Sequence, residues 1–122
     1  MHPEMERELR EQVGLSERWG LQRGALVWVR FFVECESLEK RDKLLTELSD
    51  CNPYDVQAEY DRAYAPREFP LRTDYALIKG QTSSFPFDES AVRERLERVC
   101  RIAERLGAQV PFIWHLGEAP AQ

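Results

Sequence analysis

The chain has 122 residues, 43% of them hydrophobic and 32% charged, with a formal net charge of −5 at pH 7. That length suits one domain around a single core. The acidic balance argues against non-specific nucleic-acid binding, which needs a positive surface to displace counterions, and suits solubility or a basic partner. The three cysteines, Cys35, Cys51 and Cys100, form no CxxC pair, so a secreted disulfide framework is not expected. The first residues lack the basic and apolar regions of a signal peptide. The longest apolar run, residues 25–33, is interrupted by Arg30 and falls short of the ~20 residues of a membrane span. These features predict a cytoplasmic protein with reduced thiols and no membrane partner.

Met5, Leu9 and Val13 recur at i, i+4 and i+8 and predict a helix over residues 1–20, with Pro3 tolerated in its first turn. Residues 1–22 stand outside the pattern that follows and read as a helical appendage or lid. Residues 25–34 are rich in Val, Phe and Trp and read as a central strand. Its alternation puts Val27, Val29, Phe31 and Val33 on one face and Trp28, Arg30, Phe32 and Glu34 on the other. Ser37 is a suitable N-cap for a helix running to about Ser49, with Leu38, Leu45 and Leu48 as its stripe and Leu44 widening it. Asn52-Pro53 turns the chain.

Residues 54–61 alternate strictly, which predicts a strand with Asp55, Glu59 and Asp61 on an acidic outer face. A proline-broken loop leads to a further strand over residues 73–79, with Gly80 beginning the exit and residues 81–86 forming a loop. Asp88 is the expected N-cap of the next helix, and Phe87 with Val92 has the spacing of a hydrophobic staple. Val92, Leu96, Val99, Ala103 and Leu106 form its stripe, with Cys100 beside it. Glu89–Arg93, Glu94–Arg98 and Glu97–Arg101 are expected i,i+4 pairs, and Gly107 suits the C′ position. Residues 109–116 read as an edge strand containing Pro111, with Val110, Phe112, Trp114 and Leu116 on one face. Residues 118–122 are a tail.

Over residues 23–117 the order is strand, helix, strand, strand, helix, strand. That order predicts an α+β ferredoxin-like βαββαβ sandwich: a four-stranded antiparallel sheet with both helices on one side. The opposite sheet face then carries Trp28, Arg30, Phe32, Ile113 and His115, with the acidic row at its edge. Such a patch is expected to be covered by the N-terminal helix, by a second copy of the chain, or by a partner.

No catalytic, metal or cofactor motif emerges from the residues. His115 lacks a recognisable nucleophile and orienting group. A Cys35–His115 pair across neighbouring strands is the one nucleophilic arrangement the order of elements permits, and a structural histidine is the simpler reading. Carboxylates alternating along a flat strand do not wrap around an ion. Trp28 and Phe32 stand where RNA-binding sheets place stacking aromatics, but the glycine–aromatic signature of those domains is missing, so no direct nucleic-acid contact is expected.

Val29-Arg30-Phe31-Phe32-Val33, the helix after it, and the stretch from Phe85-Pro86-Phe87 through Leu106-Gly107 resemble the B-type regulator of ribonuclease E activity family, over roughly residues 25–116. The family's closing Asp-Gly-Trp-Gly pattern is replaced by Phe112-Ile113-Trp114-His115-Leu116-Gly117, and its acidic tail is absent. The resemblance implies a protein that binds and inhibits a ribonuclease without catalysis of its own. The expectation is therefore a non-enzymatic protein-binding regulator, without a cofactor. It would present Trp28, Arg30, Phe32, Asp55, Glu59, Asp61 and His115 to a ribonuclease or other basic protein. A toxin-neutralising immunity protein belongs to the same physical class. The alternative is an enzyme or small-ligand-binding protein formed by a homodimer of stacked sheets, with a pocket built from His115, Arg30 and Cys35.

Overall fold

A computed structural model describes residues 2–64, 75–108 and 113–119, with the side chains of Asp61 and Tyr64 left out of the description. The architecture is α+β, an open antiparallel sheet with helices. Helix α1 (Pro3–Arg18) leads into β1 (Leu26–Cys35) and α2 (Leu38–Glu47). A single 3-10 turn at Ser49–Cys51 precedes β2 (Tyr54–Asp55) and α3 (Val56–Tyr64). Then come β3 (Ala76–Gln81), β4 (Phe85–Pro86), α4 (Glu89–Arg105) and β5 (Trp114–Glu118).

Strand β1 is the centre of the sheet. Its residues 27–31 pair with β5, while on its other side residues 30–35 pair with β3 and Leu26–Val27 pair with β4. β2 adds to β3 through Tyr54↔Lys79 and Asp55↔Ile78. Val27, Val29, Phe31 and Val33 are fully buried, each within 1% of zero exposure. Complete burial of such side chains is worth about 1.5–3 kcal/mol apiece, so this one strand face anchors the core. Phe31 lies beneath Gly80, where an added Cβ would overlap the phenyl ring. Gly80 is thus an interior strand residue rather than the start of an exit, and β3 runs on to Gln81.

α1 does not cover the opposite sheet face. Met5, Leu9 and Val13 join the same core as the inner face of β1, and the helix packs beside α4. The Cys100 Sγ stands 3.3 Å from Met5 Sδ, Glu6 pairs with Arg93 of α4, and Gln12 Nε2 donates to the Trp114 carbonyl at 3.4 Å. The Arg93 hydrogen bond holds the Glu6 carboxyl below the usual carboxylate range. The N-terminal segment is therefore part of the core rather than an appendage. The expected intrahelical pairs of α4 are replaced by tertiary ones. Arg93 reaches Glu6, and Arg98 donates to Asp50 at 3.0 Å and to the Glu47 carbonyl at 3.4 Å. Arg101 makes no ion pair among the described residues.

Local signals act with two changes. Ser37 caps α2 by accepting from Lys40 N at 3.1 Å, and Gly107 ends α4 at φ +72°. Asp88 occupies the N-cap of α4, but its carboxylate accepts from Arg23 at 3.2 Å instead of capping. In α2 the core residue is Leu44 rather than Leu38, which is exposed, and Leu48 just beyond the helix is buried. The expected strand 54–61 keeps only Tyr54–Asp55; Val56–Tyr64 is helical. The start of the expected strand at 73–79, and Val110, Pro111 and Phe112 of the expected last strand, lie outside the described residues.

Two glycine substitutions test this packing in opposite directions. Gly80→Ala is expected to destabilise by about 1–3 kcal/mol, because the Phe31 ring has no room to give. Gly14→Ala, in the interior of α1 with open space around it, is expected to stabilise by about 0.5–1 kcal/mol. Urea denaturation of both variants reads the two signs directly.

Candidate interaction face

The outer face of the sheet is built by four strands in register, β2, β3, β1 and β5. One cross-strand row reads Tyr54, Lys79, Phe32, with Ile113 beyond it, where the Phe32 N–H donates to the Ile113 carbonyl at 2.8 Å. The next row reads Gln81, Arg30, His115, and the one after it joins Trp28 to Gly117. At the opposite end Glu34 pairs with Leu77. Alternation along β1 forces this set outward once Val27, Val29, Phe31 and Val33 turn inward.

The side chains interlock across those rows. The Trp28 ring spreads over Gly117, where a Cβ would overlap it. The His115 ring meets Trp28 edge-on, with centroids 5.6 Å apart, and the Arg30 guanidinium sits 4.9 Å from the Trp28 ring centre. Arg30 donates twice to the Gln81 side-chain oxygen, at 3.1 and 2.9 Å, which fixes its fork without neutralising its charge. Lys79 lies over the Tyr54 ring at 5.5 Å. Ile113 is 74% and Tyr54 41% exposed, while Trp28, Phe32, Arg30 and His115 are half-buried. Partial burial, reinforced by Arg30 and Lys79, pushes the His115 pKa below its ordinary 6.5.

The sequence-derived site divides here. Trp28, Arg30, Phe32 and His115 come together as expected. Asp55, Glu59 and Asp61 do not form a strand row, because α3 begins at Val56. Asp55 pairs with Ile78 on the helix-covered side; its carboxylate accepts from Ala58 N at 3.0 Å and lies 3.7 Å from Arg41. That contact starts α3, so the carboxylate is a capping group rather than an outward charge. Glu59 is exposed on α3, and Asp61 lies in the same helix. Cys35 cannot pair with His115, since its side chain is buried on the inner face while His115 belongs to the outer one. Its thiol contacts the Ser37 carbonyl at 3.9 Å, and burial pushes its pKa up. Burial likewise raises Cys51, and drives Cys100 up to about 11, so all three thiols are protonated at neutral pH.

Lys79, Tyr54 and Gln81 were not assigned to this face from sequence. Lys79 and Gln81 flank Gly80 at alternate positions, and reading Gly80 as the exit from a strand ending at Lys79 cut Gln81 out of that period-2 signal. Among the described residues no cluster of His, Cys, Asp or Glu could hold a metal ion, and no helix is long and apolar enough to cross a membrane. A cleft of about 330 Å³ between α4 and the β3–β4 connection presents Arg95 and Arg98, but Glu94 and Asp50 already stand against them, at 3.9 and 3.0 Å. Arg101 also lines it, without an ion pair among the described residues, so the cleft is a partly paired arginine cluster.

Comparisons with protein-family models and with curated proteins return no match.

The depressed pKa of His115 links its protonation to stability. The fold favours the neutral ring, so this contribution is complete above pH ~6.5 and is lost as pH falls through the lower folded-state value. Chemical denaturation between pH 7.5 and 5 is expected to show a shallower acid loss for His115→Gln than for the wild type. Equal slopes would mean that His115 titrates as a solvated residue.

Proposed function

We propose that this protein is a non-enzymatic protein-binding regulator whose contact surface is the outer sheet face centred on Trp28, Arg30, Phe32 and His115. The observation that carries the reading is the interlocked set Trp28–Arg30–Gln81–His115, spread flat over Gly117. Aromatic side chains and an arginine, fixed on a rigid sheet and half in water, are the residue types that anchor protein interfaces. They also form a patch that a free monomer gains nothing by holding apolar. Inhibition of a ribonuclease, implied by the family resemblance, is one instance of this class. It would proceed by occlusion, with the aromatics as anchors.

We propose further that the fold is a ferredoxin-like sandwich. The strand order β2-β3-β1-β5, with α2 between β1 and β2 and α4 between β3 and β5, supports a ferredoxin-like arrangement. α1, α3 and the two-residue β4 are additions to it.

A face-to-face homodimer fits this surface poorly. A two-fold stack would bring two sets of Arg30 and Lys79 into one interface, and like charges brought together there cost several kcal/mol. The test compares proteins retained from lysate by the wild type, by Trp28→Ala/Phe32→Ala, and by Glu39→Gln on the helix side. A specific protein is expected to be lost with the sheet-face variant and kept with the helix-side one, each variant being folded by circular dichroism. Light scattering is expected to give a monomer. A concentration-dependent dimer dissolved by the sheet-face changes would overturn the proposal in favour of self-association.

A further inference from the structure

We infer that the outer sheet face docks an acidic segment of its protein partner, with carboxylates seated on Arg30 and Lys79 and apolar side chains on Trp28, Phe32 and Ile113. The inference rests on the protein-binding reading of this face and specifies the partner's chemistry, which is the reverse of the basic target expected from sequence.

The charge inventory of the face carries it. Arg30 spends two donors on the neutral Gln81 oxygen and keeps others for a carboxylate. Lys79 leans on the Tyr54 ring, a contact that leaves its charge in place. Of the carboxylates expected beside them, Asp55 faces the other side against Arg41, and Glu59 is exposed on α3. Glu34, at the far end of β1, accepts from the Tyr75 hydroxyl at 3.0 Å. Arg30 and Lys79, neither of which makes an ion pair among the described residues, thus outnumber Glu34 among the aromatic side chains of this face, on a chain of net charge −5.

That composition discriminates among occupants. A basic protein would meet Arg30 and Lys79 head-on. A single-stranded nucleic acid offers bases to stack, but its affinity comes from a run of neutralised phosphates. Two cations on an acidic chain supply too few. A protein segment mixing Asp or Glu with Leu, Phe or similar residues satisfies both halves of the face.

His115 gives the inference a proton-linked signature. The charged groups facing it are Arg30 from β1 and Lys79 from β3, with the Trp28 ring edge from β1. Both cations oppose its protonation. A carboxylate bound between them reverses that field, so docking draws a proton onto His115 and tightens as pH falls.

The experiment uses the full chain at low ionic strength and three probes: a peptide alternating Glu with Leu and Phe, the same peptide with Lys for Glu, and a single-stranded oligouridine. Amide shifts on β1, β3 and β5 report where each binds, and calorimetry reports affinity. The Glu peptide is expected to shift these amides and to bind about ten-fold tighter than the Lys peptide. Arg30→Gln/Lys79→Gln is expected to remove about ten-fold of that affinity. Binding is expected to tighten from pH 7.5 to 6.0 in the wild type and not in His115→Gln. Preference for the Lys peptide on the same amides would overturn the acidic-partner inference and leave the protein-binding reading standing. Preference for the oligonucleotide, or no shift of these amides by any probe, would overturn both.

Discussion

Everything in this molecule is referred to β1. It is hydrogen-bonded on both edges, by β5 on one side and by β3 and β4 on the other, so its backbone register sets that of the sheet. Its two side-chain faces then separate two environments one residue apart. The Val27, Val29, Phe31, Val33 face closes the core. The Trp28, Arg30, Phe32 face cannot turn inward without breaking that core, because a one-residue slip would exchange the two sets entirely. The outward aromatic and cationic surface is therefore held in place by the burial energy of the opposite face.

Glycine allows the two faces to be this crowded. Phe31 fills the space beneath Gly80 on the inside, and Trp28 lies across Gly117 on the outside. In both cases a cross-strand neighbour gives up its side chain so that an aromatic ring can lie flat against the sheet. The cost of glycine in a strand is offset by ring contact that no other neighbour permits. The helices add a second kind of tie. The arginines of α4 reach to Glu6 of α1 and to Asp50 beyond α2, which links the helical layer across its width.

Much of the secondary structure was legible in the sequence. The α1 and α4 stripes, the Ser37 cap, the Gly107 stop and the alternation of β1 all read correctly, because each depends on a periodicity or a cap whose partners lie within a few residues. The segment after Asn52-Pro53 did not. Its strict alternation of apolar and polar residues has a strand's period, yet Asp55 accepts a hydrogen bond from Ala58 N and starts a helix. A carboxylate acting as a cap outweighs the β-propensity of Val56, Tyr60 and Tyr64 in this short stretch, and no hydropathy pattern encodes that competition. The candidate face was half-legible for a related reason. Trp28, Arg30, Phe32 and His115 follow from strand parity alone, whereas Gln81 was hidden behind a glycine that looked like an end and is an accommodation to Phe31, and Lys79 lay in an expected strand whose pairing with β1 was not legible.

By itself the sequence determined which residues of β1 and α4 share a face, how several helices start or stop, and that one outward sheet face would be rich in aromatics. These are properties of local geometry, with fixed periods of two and 3.6 residues. Only the tertiary structure decided what lies over and beside that face. α1 went to the helical side because its Met5, Leu9 and Val13 stripe fits against α4 and the inner face of β1. The sign of the face was decided in the same way. Lys79 arrives through pairing of β3 with β1, and Asp55 leaves through its bond to α3 and its approach to Arg41. Charge at a surface depends on which distant segments meet there, and a net charge summed along the chain carries no information about it.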